Sequence, residues 1–391
     1  MEKVYIKDVF TSESLNLYLK PEYIYIELEG DILFNIGDYV YKGDIIIKKN
    51  NNNVYSSVSG YIRNHVYKYI LNKGLVKCIV IENDYKEKMR RKKRLDYSKD
   101  QFTYNLKMNK LIDCYEEYNI KYFVINAIDI EPYVFSKRCF VNEKASKILE
   151  MVDNIRIKLD LPRAILVIVD NPLYNNLYHY IGTYPKIKIV KVDNYYPVGN
   201  DMVLIRELFN VTYRNTALEK NIYILDLLSL NDVWNVLKNN YPRNEKIITI
   251  GSNLGFNKVV EVKIGTLVSD IINYYGIQNL SNDFCVTIGG PLTGKQISNI
   301  DTVITKDVNA IFITKNKIIK EKKCISCGKC NNVCPINLVP VFIMKCIDNK
   351  EIIKNLSIDK CIECGLCSYI CPSDINLKGY INYAKEVIKG E

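Results

Sequence analysis

The chain has 391 residues, 48% hydrophobic and 25% charged, enough for two to four domains with cores of their own. No run approaches the roughly 20 consecutive apolar residues of a membrane span, and the opening MEKVYIKDVFTSESLNLYLK lacks the basic, apolar, small-residue order of a signal peptide, so a cytoplasmic protein is expected. The formal charge of +10 invites a nucleic-acid reading, but a basic excess also offsets the charge of a bound anionic metal centre.

Residues 21–83 read as short strands: IYIELEG, IGDYVYKGDIIIKK, VYSSVSGYIRNHV and VKCIVIEND. They are punctuated by Gly30, Gly37-Asp38, Gly43-Asp44 and the run Asn50–Asn53, and predict a small all-β module. The basic run KEKMRRKKRLDY (86–97) is taken as a solvated linker in preference to a nucleic-acid arm. Between 105 and 240, strand-like YFVINAI (122–128), RAILVIVD (163–170), IKIVKV (187–192) and NIYILDL (221–227) alternate with amphipathic stretches such as 143–159. That alternation predicts an α/β domain with a largely parallel sheet. Residues 246–275 hold two β stretches before a helix starting near Thr266, a compact mixed module. CVTIGGPLTGK and a last strand, AIFIT, lead into a cysteine-rich domain and a helical tail, GYINYAKEVIKG.

Eight of the thirteen cysteines fall in two runs, Cys324-Cys327-Cys330-Cys334-Pro335 and Cys361-Cys364-Cys367-Cys371-Pro372, both C-x₂-C-x₂-C-x₃-C-P. Three close thiolates wrap one cubane face, and in the bacterial ferredoxin arrangement the fourth ligates the other cluster. Cluster one is therefore assigned to Cys324, Cys327, Cys330 and Cys371, and cluster two to Cys361, Cys364, Cys367 and Cys334. Zinc asks for two separated pairs around one ion, a poorer match. Each [4Fe–4S] centre with its four thiolates carries −2, which brings the net charge to about +6. Gly328 and Gly365 leave room for backbone N–H groups near sulfur, and Ile325, Ile362, Val333 and Ile370 supply apolar cover. Cys78, Cys114, Cys139, Cys285 and Cys346 read as small hydrophobes.

The chain resembles the RnfC-like family, a component of the Rnf electron-transport complex, and the related electron-transfer protein of proline reductase systems. GDYVYKGD and SVSGYI resemble the family's N-terminal barrel-sandwich (hammerhead) domain. INAIDIEPYVFSKR (125–138) resembles I-N-G-A-E-C-E-P-Y, YPVGNDMVLI (196–205) resembles Y-P-x-G-G-E-x-x-L-I, and GGPLTG (289–294) resembles G-G-P-M-M-G. The resemblance implies a multidomain α/β fold: hammerhead module (1–95), Rossmann-like domain of the complex I flavoprotein type (96–242), soluble-ligand-binding β-grasp (SLBB) region (243–315) and dicluster ferredoxin domain (316–391). It further implies FMN and NADH at the α/β domain. Asn126, Asp129, Glu131 and Pro132 map onto the acidic loop near the flavin and nicotinamide; Tyr196, Gly199 and Asp201 map onto a second loop.

One departure weighs against that cofactor site. The family's G-x-G-G-A-G-F-P-T loop should precede INAIDIEP by some twenty residues, where this chain reads SKDQFTYNLKMNKL. No glycine occurs from Leu75 to Ile181, yet positive φ and close approach to phosphate and isoalloxazine call for glycine. Asn200, Ala127, Asp129 and Ile130 also depart from the pattern. Glu131 then reads as a cap or surface charge. GGPLTGK is not a P-loop, because three residues separate Gly290 from Gly294; it reads as a tight turn. His65 and His179 make no centre, and no nucleophile arrangement stands out. The expectation is an electron-transfer protein whose partners are redox proteins, either the other members of an Rnf-type complex or a reductase, and not nucleic acid. Contact with the cytoplasmic face of a membrane would come through those partners. The alternatives are a working FMN-containing NADH:acceptor oxidoreductase and a scaffold held by structural clusters.

Overall fold

The computed structural model describes residues 2–6, 14–18, 20–48, 53–90, 115–239, 244–277, 284–316 and 320–389. The basic run beyond Arg90, the segment SKDQFTYNLKMNKL, Cys114 and most of the Asn50–Asn53 run lie outside the described residues.

The predicted all-β module is two small antiparallel sheets. One orders Tyr23–Glu27, Gly74–Asn83, Gly60–Ile70 and Tyr39–Val40; the other orders Asp31–Ile32, Ile45–Lys48 and Val54–Tyr55. Period-two alternation builds it: Ile24 and Ile26 are buried while Tyr23, Tyr25 and Glu27 are half-buried. Ile24, Val40, Ile46, Ile47, Ile62, Ile79 and Ile81 close its core, each fully buried side chain worth roughly 1.5–3 kcal/mol. The chain's beginning does not join this module. Leu15–Tyr18 runs parallel to Lys258–Lys263, and Val4 bridges Tyr196.

In the α/β domain every strand pairing is parallel, in the order Ile187–Val192, Ala164–Val169, Tyr122–Asn126, Ile222–Asp226. All four predicted strands are present, and the near-continuous burial of Ala164–Val169 is that of a sheet covered on both faces. The helix Ser136–Lys158 begins before the amphipathic stretch does, and Ser136–Val141 are buried without exception, Lys137 and Arg138 included. That first turn is wedged between two sheets. The Phe135 N–H donates to Thr249 Oγ1 at 2.8 Å, and Ser136 Oγ lies 2.8 Å from the same oxygen.

The third layer is a six-stranded mixed sheet: Leu15–Tyr18, Lys258–Lys263, Glu245–Ser252, Ala310–Lys315, Phe284–Ile288, Lys295–Ile297. Helix Val268–Tyr274 packs on it through Ile271 and Ile272. GGPLTG is the turn of the hairpin formed by its last two strands.

The cysteine domain strings short helices, Lys329–Asn332, Pro340–Lys345, Lys350–Lys354 and Leu366–Tyr369, ahead of Leu377–Lys389. Its two halves repeat one backbone conformation. Equivalent positions share positive φ: Ser326 and Glu363 (both 56°), Gly328 and Gly365 (74° and 75°), Asn337 and Asp374 (57° and 54°). Among the described residues no helix is long and apolar enough to cross a membrane.

Candidate metal centre

The eight run cysteines sort into two cages. Cys324, Cys327, Cys330 and Cys371 line one hollow, about 360 Å³ with its open mouth. Cys334, Cys361, Cys364 and Cys367 line a second, about 360 Å³ measured the same way. Each cage thus draws three cysteines from one run and the last cysteine of the other. Positive φ at Ser326 and Glu363 turns their N–H groups back onto sulfur: Ser326 N donates to Cys324 Sγ and Glu363 N to Cys361 Sγ, both at 3.4 Å. Leu338 N donates to Cys334 Sγ at 3.2 Å. Burial pushes the Cys364 and Cys367 thiols up to about 12, so thiolates here need a metal's positive charge beside them. Among the described residues no three His, Cys, Asp or Glu side chains gather as ligands of a single ion. Sulfurs around one zinc stand roughly 3.8 Å apart, given Zn–S of about 2.3 Å. A cubane gives each thiolate its own corner, and four cysteines around each of two hollows suit a pair of [4Fe–4S] clusters.

The two cages face different surroundings. At the first, Cys327 is exposed and Ile325 is 67% exposed. The second is pressed against the rest of the chain. Tyr196 O–H donates to the Cys364 carbonyl at 2.6 Å, and Tyr196, Val333, Leu366 and Leu292 share an apolar contact. Lys378 Nζ donates to the Leu292 and Thr293 carbonyls at 3.2 and 3.0 Å. Gly365 lies so close that a Cβ there would stand 2.6 Å from Leu292 O.

The residues mapped onto the flavin and nicotinamide loops do come together, and they bond to one another. Asn126 Nδ2 donates to the Gly199 carbonyl at 2.9 Å and to Asp201 Oδ1 at 2.7 Å. Asp129 accepts from Lys137 N at 2.8 Å and from Arg138 Nε at 2.6 Å. Burial pushes the Asp129 carboxyl up, with Arg138 and Lys137 pulling against it; burial likewise raises Asp201, opposed by Asn126. Lys137 Nζ donates to the Ile128 carbonyl at 2.8 Å and pairs with Asp226.

Glu131, 3% exposed, is held by the GGPLTG turn. Its Oε1 accepts from Gly290 N at 2.8 Å and Thr293 Oγ1 at 2.5 Å; its Oε2 accepts from Leu292 N and Thr293 N, each at 3.0 Å. A Cβ on Gly290 would overlap Glu131 Cδ at 2.2 Å, so only glycine admits the carboxylate. Glu131 is therefore a buried cap, and the turn is its cradle as well as a hairpin link. Sequence reading missed Thr293 and Lys378, whose roles depend on a contact between distant segments. Of the scattered cysteines, Cys78 and Cys139 are buried, whereas Cys285 and Cys346 are only partly so and Cys285 Sγ meets Asn316 and Gln296; His65 and His179 are exposed.

A flavin mononucleotide needs backbone N–H groups aimed at phosphate and glycines that let the chain approach the ring. Here the acidic loop's donors and acceptors satisfy one another, and no glycine stands between Leu75 and Ile181. Among the described residues, those mapped onto the flavin loops are thus engaged with other parts of the chain.

Residues 96–239 match the Nuo51 FMN-binding domain family and residues 323–375 the 4Fe-4S dicluster domain family. The C component of the ion-translocating oxidoreductase complex of Buchnera aphidicola subsp. Acyrthosiphon pisum is 30% identical over 58% of this chain and 50% of its own length. That of Pasteurella multocida is 25% identical over 80% of this chain and 41% of its own. The C component of the proton-translocating ferredoxin:NAD(+) oxidoreductase complex of Clostridium ljungdahlii is 27% identical over 56% and 49%. The chain spans about half the length of these curated relatives, or less. With both domain families matched and the same component of the complex named in each relative, the chain is RnfC-like in sequence over more than half its length and matches the 4Fe–4S dicluster domain family at its cysteine runs.

Proposed function

We propose that the chain is the electron-transfer subunit of an Rnf-type complex, relaying single electrons between redox proteins in anaerobic metabolism. Cys324, Cys327, Cys330 and Cys371 hold one [4Fe–4S] cluster; Cys361, Cys364, Cys367 and Cys334 hold the other. Bound there, the clusters supply one-electron chemistry at potentials set by burial and hydrogen bonds to sulfur. The chain's own part is to hold the thiolates, exclude water with apolar side chains such as Leu338, Leu366, Ile375 and Leu377, and aim N–H groups at sulfur. The observation that carries this reading is the sorting of eight cysteines into two four-cysteine cages, each completed from the other run.

Of residues 1–95, the part beyond Tyr18 is assigned a hammerhead module, since Leu15–Tyr18 joins the mixed sheet; 96–242 is assigned a degenerate FMN/NADH-type domain, 243–315 an SLBB β-grasp region and 316–391 the ferredoxin domain. The small β-sheets and the mixed sheet bearing one helix support the first and third of these. The chain meets the cytoplasmic face of the membrane through its partners. A second reading, an FMN-containing NADH:acceptor oxidoreductase, draws on the family match at 96–239; the closed acidic loop opposes it. Anaerobic purification with metal analysis tests both. About eight irons per chain with broad visible absorbance support the relay. Released flavin and bleaching by NADH would establish the second reading; zinc or no iron would end the first.

A further inference from the structure

A relay needs a port at each end, and the second cage faces the α/β domain. This inference rests on the relay reading above. A large cleft, about 1960 Å³ with its open mouth, lies between the α/β domain and the cysteine domain, and Cys361 and Ile362 form part of its wall. Its rim is basic: Arg206 and Arg214 and Lys220 on the α/β side face Lys354 and Lys360 on the cysteine domain. Two carboxylates share the lining, Glu219 and Asp359. Glu219 is already engaged, capping the N–H groups of Arg214, Asn215 and Thr216 at 3.3, 3.2 and 3.4 Å. Arg214, Lys220 and Lys360 are exposed and form no ion pair among the described residues.

We infer that this cleft is the docking site for the acidic face of a small electron-carrier protein, placing the carrier's redox group next to Cys361. Three features argue for that occupant. The cleft's cations exceed its anions, and field lines concentrate in such a concavity, raising encounter rates with an anionic partner. The wall exposes a ligand-run cysteine together with an apolar neighbour, Ile362, as a short electron path requires. The chain's own segment 91–114 carries seven Lys and Arg against three Asp, the same sign as the rim, so it is not the complement.

The test uses the iron-replete full chain under argon and an acidic bacterial ferredoxin, oxidised, as the binding probe. Affinity is measured by calorimetry from about 20 to 300 mM salt, across which the Debye length falls from roughly 20 Å to under 6 Å. Wild type should bind with strong salt dependence. Arg214→Glu with Lys360→Glu should weaken binding about tenfold or more at low salt and flatten that dependence. Lys220→Glu, on the α/β side and away from both cysteine runs, should weaken it in the same direction. Iron content and visible spectra are recorded on the same samples. Binding that ignores these reversals, or that is lost instead on Lys323→Glu with Lys329→Glu beside the first cage, overturns the port while the relay stands. Iron-free wild-type chain overturns both.

Discussion

Alanine at Gly328 and at Gly365 poses one backbone question twice, with a different answer at each. The two φ angles are 74° and 75°, so forcing an L residue into the left-handed region costs about 1–2 kcal/mol at either site. The surroundings then separate them. A Cβ at Gly328 meets nothing within 4 Å, whereas at Gly365 it stands 2.6 Å from Leu292 O, where ordinary contact begins at 3.4 Å. That carbonyl has little freedom to retreat. It accepts from Lys378 Nζ at 3.2 Å, and the N–H groups of Leu292 and Thr293 are tied to Glu131. Sacrificing one such charge-assisted bond adds roughly 1.5–3 kcal/mol. Gly328→Ala should therefore cost about 1–2 kcal/mol and Gly365→Ala about 2.5–5. Denaturation of the iron-replete chain under argon, followed by visible absorbance and far-ultraviolet circular dichroism, gives both numbers. Amide exchange at Leu292 and Thr293 should quicken in Gly365→Ala alone. Equal destabilisation by the two variants, or unchanged exchange at those amides, would refute the docking of the turn against the second cysteine run.

Glu131→Gln keeps the side chain's shape but turns an N–H₂ group toward donors. It should cost about 2–4 kcal/mol in denaturant midpoint experiments with cluster content retained, and a loss under 0.5 kcal/mol would count against the cradle. Cys371→Ser should alter the same electron paramagnetic resonance signal as Cys324→Ser and a different one from Cys361→Ser; grouping of Cys371 with Cys361 would break the swapped assignment. Burial pulls Lys246 down to about 8 from 10.5. Between those values the unfolded chain binds more protons than the folded one, so this residue's contribution makes stability rise with pH across that window. Lys246→Met should thus be more stable at pH 7.5, with an advantage on the order of 1 kcal/mol that shrinks by pH 10; an advantage constant with pH would show that Lys246 keeps its ordinary affinity for protons.

Legibility in the sequence followed the range of the interactions. The central strands 122–126 and 164–169 announce themselves as apolar runs because they are covered on both faces, and the edge strand 187–192 by alternation with the exposed Lys188 and Lys191; the cysteine spacing fixes chemistry through neighbours a few residues apart. Contacts at long range left no such mark. Leu15–Tyr18 has no pattern that selects Lys258–Lys263 as its partner over the nearby β module. The buried Lys137 and Arg138 look in sequence like the exposed start of a helix; only Asp129 and Asp226, brought in by the fold, make their burial affordable. GGPLTG was legible as a turn from its glycines, but its three inward N–H groups take their meaning from Glu131, some 160 residues earlier.

The persistence of an acidic loop beside a missing glycine loop has a physical explanation in that partnership. Glu131 accepts four hydrogen bonds from the 290–293 turn, the turn's carbonyls hold Lys378, and Gly365 packs against Leu292. Tyr196, from the second mapped loop, reaches the Cys364 carbonyl directly. Removing the carboxylate would leave buried N–H groups without acceptors, at about 1–3 kcal/mol each. Loss of a flavin would therefore not release Glu131, because the residue supports the wall on which the second cysteine run rests.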